Sequence, residues 1–406
     1  MAITLPFEGI RILDFSWVAA GPFATRFLAD FGAEVIVVES GKRSGGLRGQ
    51  APMPPERESL NTSTFFNSAN TNKLSITVDM NLPRAQELMR QLAAVCDVVV
   101  DNFRPGIMAR WGLAYEDLVK VKPDVIVASM PMVGSTGPFR YWGGFGTTAF
   151  SLSGMLELTG FPESEPLACA IPFPDSSCNP THFAVALLAA LRHRRRTGQG
   201  QWIDASQMES TMAAIGPAIL QALANGTQAE RTGNREGMAA PCGIYRCAGE
   251  DRWCAVEVHT AAQWAALCEV VGHPEWREDP RYRTAADRWA NRAAPDAAVE
   301  AWTCGLDPRT ATERLQAAGV PAGAVNDSRD LLENDPQLAH RGHFFAVPHP
   351  EMGQITAQNH AFRLSATPGR LGRAPLLGEH NEDVFGRLLG LSRQEIDALV
   401  AEGVIA

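Results

Sequence analysis

The chain has 406 residues and a formal net charge of -9, with 36 basic and 45 acidic residues. Hydrophobic residues make up 45% and charged residues 20%, which is an ordinary globular balance and excludes disorder for the bulk of the chain. The acidic balance argues against a general nucleic-acid binder, although a local basic pocket for a phosphorylated ligand is compatible with it.

In chain order, Ile10 to Phe15 is a short apolar run with strand character. Pro22 to Phe31 has helical spacing, Gly32 is a C-cap, and Glu34 to Val38 is a second strand. A third strand is expected at Ser75 to Val78. A helix over Pro83 to Ala94 leads into Val98 to Val100, and another near Tyr115 to Val119 leads into Val125 to Ala128. Strands separated by helices of this length predict an α/β fold with a parallel, Rossmann-like sheet. No G-x-G-x-x-G follows the first strand, so a dinucleotide site is not supported.

Residues 131–181 are rich in Gly, Pro, Ser and Thr, and a stretch so long with little periodicity is functional or a linker. A strong helix is predicted from Thr181 to Arg195, then a strand at Gln201 to Ala205 and a long apolar helix from Gln207 onward. Glycines at 226, 233, 237 and 243 mark a boundary. Beyond it come strands at Ile244 to Cys247 and Trp253 to Val258 and a helix at Ala261 to Val271. Helices near Pro295 to Thr303 and Arg309 to Ala318 and a strand at Val320 to Val325 follow. From Asp330 the chain is loop- and strand-rich, and it ends in a helix over Arg393 to Glu402.

The N-terminus lacks the basic start, apolar run and small-residue cleavage site of a signal peptide. No apolar run approaches the ~20 residues that span a bilayer. A cytoplasmic protein that does not engage membranes is expected. The eight cysteines form no CxxC pair, and the nine histidines show no ligand spacing, so no metal site is expected. The cysteines are expected to be reduced thiols packing as small hydrophobes. A G-x-S-x-G elbow and a P-loop are also absent.

Asp175 sits in Pro174-Asp175-Ser176-Ser177, directly before the strong helix. A carboxylate there is stabilised as the anion by free N–H groups and the helix dipole, and such an anion can attack an acyl carbon. The commoner role of an aspartate in that place is a cap or turn. Lys42, Arg43 and Arg48 lie in a Gly-rich stretch that suits a phosphorylated ligand or is simply a solvated loop. The cluster from Arg192 to Arg196 is assigned to dipole complementarity and solvent exposure.

Several blocks together carry a family resemblance. They are Gly9 to Phe15 followed by Val18 to Pro22, Leu28 to Ile36 ending at Glu39, and Asn72 to Ile76 preceding Asp79. To these are added Asp101 to Gly106 followed by Gly112, Thr197 to Gln201, and Ala374 to His380. In these the chain resembles the class III CoA-transferases over essentially its whole length. The resemblance implies a large Rossmann-like CoA-binding and catalytic domain (1–225), a small α+β domain (226–330) and a C-terminal segment (331–406) returning to the large one. It further implies two subunits interlocked like chain links, as a homodimer or a heterodimer with a related subunit.

The resemblance makes Asp175 the catalytic nucleophile. It places coenzyme A, a substrate rather than a permanently bound cofactor, along Val18, Ala19, Ala20, Arg48, Val78, Asn102, Phe103 and Arg110. Relatives carry an arginine where this chain has Ser40, and Lys42 or Arg43 is expected to compensate. In place of the glycine lid of some relatives the chain has Gly233-Asn234-Arg235-Glu236-Gly237-Met238, with Arg235 a partner for a substrate carboxylate. Phe145, Phe150, Met155 and the Trp142 region suggest a partly apolar acyl pocket. The segment Phe15 to Pro22 looks most like relatives that use succinyl-CoA and accept benzylsuccinate or malate. Two alternatives stand beside the transferase: an α-methylacyl-CoA racemase, whose histidine position falls at Gly144-Phe145-Gly146, and a non-catalytic subunit of a hetero-oligomer.

Overall fold

The computed structural model describes residues 4–42, 46–49, 59–169, 171–235, 237 and 239–405. These form two compact units, one of residues 1–156, 168–228 and 339–406, the other of residues 157–167 and 229–338.

The first unit begins with β1 (Arg11–Asp14), α1 (Ala20–Asp30), β2 (Glu34–Glu39), α2 (Thr64–Ala69), β3 (Leu74–Thr77), α3 (Pro83–Ala94) and β4 (Val98–Asp101). It continues with α4 (Ile107–Arg110), α5 (Tyr115–Val121), β5 (Ile126–Ser129), α6 (Gly146–Leu152), α7 (Asn179–Thr197), β6 (Gln201–Asp204), α8 (Gln207–Met212) and α9 (Gly216–Asn225). The strands make one six-stranded sheet in the order β3-β2-β1-β4-β5-β6, parallel throughout.

Alternation along the strands distributes the core. Leu13, Ile36, Ile76, Val99 and Val127 pack on one face with α3 residues Leu88, Met89 and Leu92. Ile12, Val35, Val98, Val100 and Ile126 pack on the other with Leu28 of α1 and Phe183 and Leu187 of α7. A parallel sheet covered on both faces needs apolar residues in both registers, hence the unbroken Val/Ile runs. Each such side chain contributes about 1.5–3 kcal/mol on burial.

The second unit holds β7 (Cys242–Arg246), β8 (Trp253–Glu257), α10 (Ala261–Val270), α11 (Ala285–Ala290), α12 (Ala293–Thr303), α13 (Pro308–Ala317) and β9 (Ala322–Ala324). Its three strands form the antiparallel sheet β7-β8-β9. Cys247, Cys254 and Cys268 pack in its core beside Tyr245, Val256 and Trp264. The cysteines expected to act as small hydrophobes do so here, and burial pushes the Cys268 thiol up to about 11.

After α14 (Pro336–Arg341) the chain contributes a hairpin of β10 (Phe344–His349) and β11 (Gly353–Gln358), then α15 (Asn381–Leu389) and α16 (Arg393–Ala401). Val384, Phe385, Ile396, Leu399, Val404 and Ile405 join the α3 face of the large sheet, and Asp79 N–H donates to the Val404 carbonyl at 2.9 Å.

Three sequence expectations change. The long helix from Gln207 is broken: α8 passes through a short tight turn at 213–215 into α9 at Gly216-Pro217, because proline has no N–H to continue the ladder. The 131–181 stretch contains α6 and a π-helical turn, Pro174–Cys178, that runs directly into α7. Within the arginine cluster, Arg194 is not merely solvated. Its Nη1 meets Asp97 at 2.7 Å and its Nε meets Asp124 at 2.8 Å, tying the end of α7 to the sheet. Among the described residues no helix is long and apolar enough to cross a membrane, and no cluster of His, Cys, Asp or Glu could hold a metal ion.

Candidate active site

The turn after β1 is built by its own side chains. Asp14, fully buried, accepts hydrogen bonds from Ser16 N–H at 2.9 Å and from the Ser16 and Thr25 hydroxyls at 2.5 Å each. Lys73 Nζ lies 3.5 Å from Asp14 and donates to Thr25 Oγ1 and to the Pro22 carbonyl at 2.8 and 2.9 Å. Burial pulls the Lys73 ammonium down to about 8, while Asp14 opposes the shift. Gly21 is required here, since a Cβ would lie 2.3 Å from Ser16 Cβ. The turn ends in strain: Ala19 has φ 33°, outside the regions an L residue favours. Asn102, just past β4, clamps it. Its Oδ1 accepts from Trp17 N–H at 3.2 Å and its Nδ2 donates to the Val18 carbonyl at 2.8 Å.

This turn forms one wall of a cavity of about 640 Å³. The Trp17 and Phe103 rings meet edge to face at 5.7 Å, and Phe103 meets Trp111 likewise at 5.6 Å. Arg104 and Arg110 supply two cations, and both are exposed. Asp175, Gly144, Phe145 and Gln207 complete the far side.

Asp175 is 4% exposed and sits in the π-helical turn. Its carboxylate is held from two directions. Gly146 N–H, at the start of α6, donates to Oδ2 at 3.0 Å, and Asn179 Nδ2, one turn along the same helix, donates to Oδ1 at 3.3 Å. Neither donor is one of the free N–H groups expected of its own helix, so that expectation is corrected. The cap role also fails, because neither the turn nor α7 has a side-chain cap bond. Burial raises the Asp175 carboxyl above its ordinary value, opposed by the Gly146 and Asn179 hydrogen bonds, where the sequence pointed to a stabilised anion. The approach of Gly146 is close enough that a Cβ there would lie 2.5 Å from Oδ2 and 2.6 Å from Cγ.

Of the residues singled out in the sequence, Val18, Asn102, Phe103 and Arg110 meet Asp175 at this cavity. Ala19 and Ala20 are buried behind it at the start of α1, and Val78 is buried in the sheet core. Arg48 does not line it. Its guanidinium is buried and spent on Glu39, with Nε–Oε1 2.6 Å and Nη2–Oε2 2.9 Å. It also bonds Asn61 and the Pro375 carbonyl and covers the Phe66 ring at 3.5 Å. Lys42 pairs with Asp79 at 2.9 Å, and Arg43 lies outside the described residues.

Phe145 reaches the cavity, whereas Phe150 is buried and Trp142 stacks on Phe139 at 4.1 Å. In the second unit, the turn at Gly233 is held by Thr232 Oγ1 donating to the Arg235 carbonyl at 2.8 Å. Glu236 and Met238 of the expected lid lie outside the described residues.

Sequence reasoning missed Gly146, Asn179, Gln207 and the role of Arg104. Asn179 was within reach, because it stands four residues after Asp175 and that spacing shares a helix face. Arg104 lies inside the Asp101 to Gly106 block.

A doubly covered parallel sheet with a buried carboxylate opening on a cation-bearing cleft makes this an α/β protein with a site suited to an anionic ligand. The family model described as CoA-transferase family III matches residues 7–381, and the chain belongs to that family. It is 34% identical to succinyl-CoA–D-citramalate CoA-transferase of Chloroflexus aurantiacus, covering 98% of each chain. It is 31% identical to succinyl-CoA:glutarate CoA-transferase of Mus musculus, covering 98% of this chain and 90% of that one. Among solved structures, a CAIB/BAIF family protein from Brucella suis matches with TM-score 0.86 and 30% identity, over 95% of this chain and 100% of that one. The protein is a class III CoA-transferase with the mixed α/β fold of that family.

Proposed function

We propose that the chain moves coenzyme A from succinyl-CoA to a small dicarboxylic acid, with Asp175 as the covalent relay. The observation that carries this is the buried Asp175 carboxylate on a cleft that also presents Arg104 and Arg110, with no ion pair to Asp175 among the described residues. An unpaired, partly desolvated carboxylate keeps its nucleophilicity, and the two arginines suit the phosphates of coenzyme A. The edge-to-face wall of Trp17, Phe103 and Trp111 offers ring faces to a planar base.

An Asp175 oxygen attacks the thioester carbonyl carbon, the C–S bond breaks, and the CoA thiolate leaves a mixed anhydride. The thiolate then attacks Asp175 Cγ and expels the donor acid, giving an aspartyl-CoA thioester. The acceptor carboxylate attacks that thioester at Cγ, and the thiolate returns to the acceptor's own carbonyl. Anhydride and thioester are close in energy, so the activated bond persists provided water is kept out.

Relatives named for citramalate and glutarate support a dicarboxylic acceptor. Citramalate is a substituted succinate, the class to which malate and benzylsuccinate also belong. The racemase alternative has little to stand on: the cavity lining among the described residues contains no histidine, and Gly146 occupies that stretch as a donor to Asp175.

An interlocked dimer fits the exposed Val185 and Leu188 of α7 and Leu220 and Leu223 of α9, which a monomer leaves in water. We place the enzyme in the cytoplasm, in keeping with free cysteines that include the exposed Cys169 and Cys304.

The deciding experiment is a screen of donor CoA esters and acceptor acids with mass-spectrometric detection of new CoA esters. Succinyl-CoA with substituted succinates is expected to give product, and Asp175→Ala none. Transfer by Asp175→Ala at the wild-type rate refutes the mechanism.

A further inference from the structure

The two oxygens of Asp175 are not equivalent. Oδ2 takes a backbone N–H, from Gly146, at 3.0 Å, and Oδ1 takes a longer side-chain bond, from Asn179 Nδ2, at 3.3 Å. The Asn179 amide is itself locked. Gln207 Nε2 donates to the Met130 carbonyl at 2.8 Å, which turns Gln207 Oε1 toward Asn179 Nδ2 at 3.3 Å. The Asn179 oxygen accepts from the Ser210 hydroxyl. Asn179 therefore presents its NH2, not its oxygen, to Asp175, and Met130 is the fixed end of the chain of bonds.

A free carboxylate exchanges its oxygens by a half-turn about Cβ–Cγ. Here Gly146 covers one face of the group so closely that an added Cβ would stand 2.5–2.8 Å from all three of its outer atoms. A half-turn must sweep the oxygens past that backbone and break both hydrogen bonds.

Resting on the Asp175 mechanism above, we infer that the two oxygens have fixed and separate tasks. Oδ1 is the oxygen that attacks, bridges and leaves, and Oδ2 is the permanent carbonyl oxygen whose negative charge Gly146 N–H receives. When the thiolate attacks Cγ of the anhydride, the C–S bond forms and the Cγ=Oδ2 pair moves onto Oδ2. Gly146 N–H is already aimed there, as an oxyanion donor must be. Collapse restores Cγ=Oδ2 and breaks Cγ–Oδ1, so the donor acid departs carrying Oδ1, with Asn179 Nδ2 donating to the oxygen that becomes its carboxylate. In the second half an oxygen of the acceptor enters at the same place, passes through the same charge on Oδ2, and is left on Asp175 as the new Oδ1. Because Gly146 screens one face of Cγ, the thiolate and the acceptor both reach it from the other. One enzyme oxygen is exchanged at every turnover and the other never is.

The test uses wild-type enzyme turning over succinyl-CoA with succinate labelled by heavy oxygen at every carboxylate position. Turnover is followed as label entering the succinyl-CoA pool, and the peptide carrying Asp175 is then analysed by fragment mass spectrometry. One heavy oxygen at position 175, unchanged on prolonged turnover, is the expected result. Two heavy oxygens overturn the fixed assignment while leaving Asp175 as the relay. No heavy oxygen despite turnover overturns the relay itself, and the inference with it. Asn179→Ala is expected to slow transfer and to admit the second heavy oxygen, because Oδ1 then loses its anchor. If that variant transfers at the wild-type rate and still takes one label, Asn179 has no part in the positioning.

Discussion

Asn102 and Val18 are joined by a hydrogen bond of 2.8 Å from the Asn102 amide to the Val18 carbonyl, and the same amide accepts from Trp17 N–H. One side chain from the end of β4 thus holds the turn after β1 in its strained form. Asn102→Ala removes both bonds, each contributing about 0.5–1.5 kcal/mol, and lets the turn at Ala19 relax. The expected outcome is a rise of roughly 5- to 100-fold in the KM for acyl-CoA with a smaller change in kcat, read by initial-rate kinetics. An unchanged KM would show that the turn holds its shape without this clamp.

Gly146→Ala is expected to slow transfer by about 100-fold while leaving the fold largely intact. The new methyl would stand 2.5 Å from Asp175 Oδ2, so either the carboxylate or the start of α6 must move. A displacement of about 1 Å at a reacting group can lower the rate by ~100-fold. Circular dichroism and the thermal midpoint check the fold. A variant with near-wild-type activity contradicts the tight approach.

The pH profile follows from burial of Asp175. Its carboxyl is raised above the ordinary value, chiefly by burial, and only the ionised form attacks. Activity should therefore fall as pH drops through the raised pKa, so the acid limb of kcat/KM lies above the ordinary value of about 3.9. The Asn179 hydrogen bond opposes the rise, so Asn179→Ala should move that limb to still higher pH. An acid limb at or below the ordinary carboxylate value would place the essential ionisation elsewhere.

Arg48 is expected to act on stability rather than on coenzyme A. Its pairing with Glu39 is buried at both ends, with side-chain exposures of 0% and 5%, and removal of one partner strands the other. Arg48→Ala should lose about 3–5 kcal/mol of stability. Arg48→Lys should recover little of it, since an ammonium cannot reproduce the fork to Glu39 together with the bond to the Pro375 carbonyl. Denaturant melts measure the loss. A large change in the KM for acyl-CoA under folding conditions would return Arg48 to the substrate site.

The sheet was legible because its determinants are local. Short β-branched runs such as Val98 to Val100 favour strands covered on both faces, Pro83 suits the first turn of α3, and Gly198 ends α7 in a left-handed cap. The π-helical turn at Asp175 was less visible because its segment carries little periodicity, and the break at Gly216-Pro217 because apolar residues continue across a change of backbone geometry.

The place of Asp175 at the head of a long helix could be read from the order of residues along the chain, because the segment preceding a helix is a local pattern, while its choice as nucleophile over a cap came from the family resemblance. What surrounds its carboxylate could not. Gly146 comes from 29 positions upstream and Gln207 stands 28 positions beyond Asn179, and nothing in a linear pattern states that they converge. Arg48 shows the converse: a basic residue in a glycine-rich stretch looks like a phosphate ligand until packing surrounds it with Glu39 and Phe66. Local propensity fixes which elements form. Which polar groups are left facing the cleft depends on desolvation and on partners far away in the chain, and only the folded packing decides that.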